Sequence, residues 1–112
     1  MKGSVGERFS KLRIKNGFTQ SQVAHYLEVD QSYISKYEKD ERQFSIDVLE
    51  RSAALFGCSI DYLTGKTDDA KPLSVALRAK VVTPKDLEMV AAINKIALNL
   101  RFMDSLLEEK NQ

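Results

Sequence analysis

An all-α fold is the architecture this chain predicts, on three observations: a repeated helix-start signature, glycines at the matching helix stops, and apolar residues at helical spacing with no strongly alternating segment. The start signature is a hydrophobic staple. An apolar residue stands just before a capping Ser, Thr or Asp and packs on another four positions inside the helix. Phe18-Thr19 with Val23, Val29-Asp30 with Ile34 and Phe44-Ser45 with Leu49 follow it, as do Cys58-Ser59 with Leu63 and Val82-Thr83 with Leu87.

Taken in chain order, a first helix is expected over residues 6–16, stopped by Gly17. A second over 20–27 starts at Thr19, with Gln22 completing a capping box, and a third covers 31–38 behind Asp30. The fourth, over 46–56, places Ile46, Leu49, Ala53 and Phe56 on one face and ends at Gly57. A short fifth, over 60–63, ends at Gly65. Residues 66–74 are polar and contain Pro72, and 75–82 are apolar only in short pieces, so 66–82 are assigned to a linker. Thr83, Pro84 and Asp86 then open one long helix to about residue 108. The domain division expected is 1–65, a linker, and a C-terminal helix within 83–112.

Composition narrows the function classes. A length of 112 residues with 43% apolar and 29% charged residues fits one folded domain, or a small domain with an appendage. One cysteine, Cys58, and one histidine, His25, can build neither an internal disulfide nor a metal site between them, and no cofactor is expected. There is no phosphate-cradling glycine loop, no cysteine–histidine pair at useful spacing and no nucleophile–base constellation, so an enzyme is not expected. No apolar run spans a membrane and the first residues lack a signal-peptide core, so a cytoplasmic location is expected. The net charge is +1, and residues 1–65 carry nine Lys/Arg against nine Asp/Glu. Affinity for a polyanion would therefore have to come from a local basic face, specific contacts and symmetry, not from bulk charge.

Chemistry enters with the second and third helices. Two eight-residue helices joined by Glu28-Val29-Asp30 have the length of a DNA-reading helix-turn-helix. Val23, Ala24, Leu27, Val29, Ile34 and Tyr37 are expected to face inward, Ala24 because the helices cross closely there. Gln31, Ser32, Tyr33, Ser35 and Lys36 then face outward, with side chains long enough to reach base edges in a major groove. Residues 7–65 resemble the phage repressor and Cro-like helix-turn-helix domain, a five-helix bundle that binds operator DNA, usually as a dimer. The resemblance rests on Phe18-Thr19-Gln20-Ser21-Gln22-Val23-Ala24, on Gln31-Ser32-Tyr33-Ile34-Ser35-Lys36-Tyr37-Glu38 and on Phe56-Gly57-Cys58-Ser59-Ile60-Asp61-Tyr62-Leu63. It implies base reading by Gln31, Ser32 and Lys36 with Tyr33 adjacent, and backbone contacts from Gln20, Lys15, Lys39 and Arg42. It also implies a buried ion pair between Arg13 and Glu38. The turn position commonly occupied by glycine in this family is Glu28 here.

The C-terminal helix carries Met89, Ile93, Ile96, Leu100, Met103 and Leu107 at 4-3-4-3-4 spacing, widened by Val90 and Ala97. Such a stripe must be buried. Self-association is preferred over folding back, because a linker separates the segment from a bundle expected to close on its own. The chain is thus expected to be a homodimeric regulator, in particular a repressor, on a palindromic double-stranded operator. A second reading is an antitoxin- or immunity-type regulator whose C-terminal region binds a protein partner and whose DNA binding is autoregulatory. Ala76-Leu77-Arg78-Ala79 and Thr83-Pro84-Lys85-Asp86-Leu87-Glu88 resemble, in part, tails of repressors encoded beside a metallopeptidase that inactivates them.

Overall fold

Capping chemistry sets most of the helix boundaries. In the computed structural model, which describes residues 3–68, 72 and 84–110, the described residues form six helices and no strand: α1 (Val5–Lys15), α2 (Gln20–Leu27), α3 (Gln31–Glu38), α4 (Ile46–Phe56), α5 (Ile60–Thr64) and α6 (Pro84–Lys110). Thr19, Asp30, Ser45 and Ser59 each accept a backbone N–H of the first turn, and Thr19 with Gln22 forms the reciprocal capping box. Gly57 and Gly65 close α4 and α5 at φ of 71° and 84°, where a side chain would be strained. Ser4 caps α1, which starts one residue earlier than expected; Gly3 precedes it, so no staple marks the site. The cap expected at Thr83 and the apolar pieces of 75–82 lie outside the described residues.

α1 to α5 wrap one core around Phe9, whose ring meets Phe56 edge-on at 5.2 Å and Phe44 at 5.4 Å. α4 buries Val48, Ser52, Leu55 and Phe56. Ile46 departs from expectation: it is 70% exposed, at the edge of that stripe in the first helical turn, and contributes nothing to the core.

α6 corrects a larger expectation. It is not held apart from a self-sufficient bundle: Leu87, Val90 and Ala91 belong to the same core, and the helix packs across α2 and α4. Each fully buried aliphatic chain there contributes roughly 1.5–3 kcal/mol. Asn94, 1% exposed, follows on the same face, its amide donating to the carbonyls of Ala54 (2.9 Å) and Leu55 (3.1 Å) in the last turn of α4. Val90, assigned above to the heptad stripe, is instead on this docking face. The stripe itself, Met89 to Leu107, looks the other way, its six residues between 41 and 63% exposed. At about 100° per residue the two faces lie on nearly opposite sides of one helix.

Candidate nucleic-acid interface

The relative position of α2 and α3 is decided by what they bury. Val23, Ala24 and Leu27 from α2 meet Ile34 and Tyr37 from α3, and Tyr37 stacks on Phe44 at 4.6 Å. With Ile34 and Tyr37 turned inward, the helical period turns Gln31, Ser32 and Lys36 outward. All three are exposed, and Tyr33 and Ser35 flank them half-buried. The break between the helices has the backbone a glycine would adopt: Glu28 sits at φ 59°, ψ 43°. Its N–H reaches the Ala24 and His25 carbonyls and the Val29 N–H reaches Ala24. The family's turn is therefore kept, at a cost of about 1–2 kcal/mol for a residue with a Cβ in left-handed backbone.

The start of α3 is tied down by its own cap. The Asp30 carboxylate accepts the Ser32 hydroxyl at 2.6 Å and the Ser32 amide at 3.1 Å. Those two bonds, the hydroxyl first, hold its pKa below the ordinary carboxylate value. In this geometry Ser32 has its proton committed to Asp30 and offers a base edge only its lone pairs, which suit an exocyclic amine. Arg42, in the loop after α3, lies with its guanidinium 4.3 Å from the Tyr33 ring centroid. That contact covers one face of the ring and holds Arg42 beside the outward face of α3.

A polar brace runs behind this face. Arg13 of α1 pairs with Glu38 through Nε–Oε2 at 2.6 Å and Nη2–Oε1 at 3.1 Å, and its Nη1 donates to the Phe18 carbonyl at 2.9 Å. Gln20 donates to the same Glu38 carboxylate at 3.0 Å. The pair is largely buried, its side chains 13% and 9% exposed. One carboxylate thus joins α1, the start of α2 and the end of α3.

The structure brings Gln31, Ser32, Tyr33, Lys36 and Arg42 together, with Lys39 exposed at the C-cap of α3 and Gln20, Arg13 and Glu38 behind them. Lys15 is placed elsewhere: it lines a cleft with Arg8, Lys11, Tyr62 and Asp68, on the α5 side of α1. His25 is exposed on α2, and Cys58 is buried just ahead of the Ser59 cap of α5.

Two residues that no sequence signal marked also position the interface. Asp40, at φ 59°, accepts the Gly6 amide at 3.0 Å and the Ser4 hydroxyl, pinning the chain after α3 to the start of α1. Arg51 of α4 donates to the Leu27 carbonyl at 3.2 Å and to that of Tyr26, satisfying the end of α2. A pairing between a loop aspartate and a helix amide many residues away has no local pattern to betray it. Among the described residues, no helix is long and apolar enough to cross a membrane and no group of His, Cys, Asp and Glu could hold a metal ion.

Comparison with known proteins falls on the same segment. A helix-turn-helix family model matches residues 9–63. The chain is 34% identical over 79 residues to the HTH-type transcriptional regulator ImmR of Bacillus subtilis (strain 168), a match covering 70% of this chain and 62% of that protein. It is 30% identical over 93 residues to the HTH-type transcriptional regulator RamB of Mycobacterium tuberculosis, covering 83% of this chain and 19% of that one. With the uncharacterized HTH-type regulator YobD of Bacillus subtilis it shares 32% identity over 66 residues, covering 59% of each. The chain thus spans less than two thirds of each of these relatives. No solved structure matches it. The matched residues run from within α1 to within α5 and take in the α2–α3 turn: over them the chain belongs to the phage repressor and Cro-like helix-turn-helix family.

Proposed function

We propose that this chain is a sequence-specific double-stranded-DNA-binding transcriptional regulator, a repressor that occupies a two-fold-symmetric operator as a homodimer. The observation that carries the proposal is the outward face of α3. Gln31, Ser32 and Lys36 stand exposed on a helix whose opposite face is locked into the core and whose end is braced by Arg13, Glu38 and Gln20. Gln31 suits an adenine edge and Lys36 a guanine edge in the major groove. Lys39 and Arg42 supply phosphate contacts from the following loop. That ImmR and RamB are HTH-type transcriptional regulators supports the same activity.

The second copy is assigned to α6. Its heptad stripe is apolar, exposed and turned away from the bundle, and a two-stranded coiled coil is the self-complementary way to bury such a period. Two α3 helices about 34 Å apart would then match half-sites one turn of DNA apart. Linking two half-site contacts raises affinity by effective concentration, which suits a domain with no excess positive charge. Selection of bound duplexes from random DNA tests both parts. Enrichment of an inverted repeat with one fixed separation supports the proposal, and recovery of no sequence preference refutes it.

One observation favours a second reading, in which the end of α6 holds another protein. Phe102 and Leu106 are 64% and 47% exposed and lie off the heptad stripe. Co-purification with a tagged full-length chain separates the two readings: a stoichiometric partner other than the chain itself favours the second.

A further inference from the structure

We infer that Asn94 is the positioning residue that sets how far apart the two α3 helices stand, and so which half-site separation the dimer accepts. The inference rests on the homodimer proposed above and adds to it the device that fixes its geometry. α6 serves two partners at once: Leu87, Val90, Ala91 and Asn94 face the bundle, and Ile93, Ile96, Leu100 and Met103 face away from it. Any rotation or slip of α6 on the bundle would therefore turn the dimer seam relative to α3. Leu, Val and Ala do little to prevent that, because apolar contact is non-directional and a helix can settle in neighbouring rotations with similar burial.

Asn94 is different. It is a polar member of the docking face, 1% exposed, and its amide nitrogen donates to two consecutive carbonyls, Ala54 at 2.9 Å and Leu55 at 3.1 Å. Those acceptors are fixed in the last turn of α4. A small rotation of α6 would leave a buried amide without partners, so a single arrangement is selected over its neighbours. A lone buried Asn is known to specify register in this way between helices. From α6 the geometry passes to α3 through packed elements: α6 lies against α2, and α2 is joined to α3 by Ala24 and Ile34 in the core and by Gln20 and Glu38 behind it. One base pair moves a half-site by about 3.4 Å along and roughly 35° around the duplex, so an orientation held this tightly is read out as a spacing preference.

The test uses the full chain and a series of duplexes carrying the selected half-sites at separations changed by up to three base pairs. The wild type is expected to bind one separation best and to lose roughly tenfold or more on each neighbouring one, as effective concentration collapses. Asn94→Leu keeps the branching at Cγ, with a larger and apolar side chain, but removes the donors. It should sediment as a dimer, keep the half-site base preference, and bind all separations within about threefold of one another. Should that variant not fold, Asn94→Gln carries the same donors one methylene further out and should shift or flatten the profile. A dimeric Asn94 variant with the wild-type spacing profile overturns the role of Asn94 while leaving the dimer intact. A wild-type dimer indifferent to separation overturns this inference and leaves the dimer standing, whereas a monomeric wild type overturns the dimer and this inference with it.

Discussion

Gln31 and Lys36 are exposed on α3, and among the described residues their side chains are not engaged with the rest of the protein. Their substitution should therefore separate binding from folding. Gln31→Ala or Lys36→Ala is expected to weaken specific binding by about 1–3 kcal/mol and leave the melting temperature unchanged, as fluorescence anisotropy and thermal melts would show. An unaltered affinity in both would move the base-reading face elsewhere. Glu38 is the opposite case, close to the DNA-facing helix yet spent on structure. Its loss leaves the Arg13 guanidinium, 13% exposed, without its carboxylate. An uncompensated buried charge costs on the order of 3–5 kcal/mol, so Glu38→Ala should melt far below the parent. Cys58 shows how burial alone sets a side chain's chemistry. Loss of solvent pushes its thiol up to about 12, with Arg8 opposing only in part. A thiol that titrates higher folded than unfolded stabilises the fold fully below its unfolded pKa of about 8.5. That contribution disappears as pH rises toward 12. Native protein at pH 8 should accordingly resist iodoacetamide, and rapid alkylation there would show that the site opens.

At the scale of the elements, the contact between α1 and the end of α3 rests on one absent side chain. A Cβ on Gly6 would come within 2.4 Å of the Tyr37 carbonyl oxygen and 2.6 Å of the Asp40 carboxylate. Alanine in a helix normally gains up to about 1 kcal/mol over glycine. Here overpacking against a backbone atom that cannot swing aside costs about 1–3 kcal/mol or more, and it wins. Gly6→Ala should lower the denaturation midpoint; a rise would mean that α1 and α3 sit further apart than described. Gly6 lies in α1 with no turn or cap to single it out, so nothing in its neighbourhood announces the close approach. The helices with staples were legible for the converse reason. Thr19, Asp30, Ser45 and Ser59 satisfy orphan amides within three residues of themselves, and such short-range chemistry is written in consecutive letters. The outward placement of Gln31, Ser32 and Lys36 was legible too, because it follows from helical period once Ile34 and Tyr37 are assigned inward. What could not be read were partners at long range: Asp40 with Gly6, Arg51 with the end of α2, and Asn94 with the end of α4. Lys15 could be placed on α1 but not on the side of α1 it occupies.

For the whole molecule, α6 decides whether the chain is a domain or half of an assembly. Its periodicity was misjudged in one respect because it carries two apolar stripes, one for its own bundle and one free, and they blur together in the sequence; Val90 was counted with the wrong one. Docking of Leu87, Val90 and Ala91 does not relieve the need of the other stripe for a partner. Ile96 at 63% and Leu100 at 59% exposed are near its middle and touch none of the buried core. That separation makes a clean test possible. Replacing Ile96 and Leu100 with glutamate should leave the core, the caps and the Asn94 bonds as they are, since none of them involves these two side chains. In a dimer the same changes would bury four like charges along a seam whose exposed neighbours, Ile93 and Met103, offer no counter-charge. A buried unpaired charge costs several kcal/mol, more than a short coiled coil can absorb. The double variant should therefore sediment as a folded monomer with an unchanged helical spectrum. Its operator affinity should fall by about two orders of magnitude or more, because each half-site would be bound without its twin. A variant that remains dimeric with wild-type affinity would place the dimer contact outside α6 and leave the stripe to another protein.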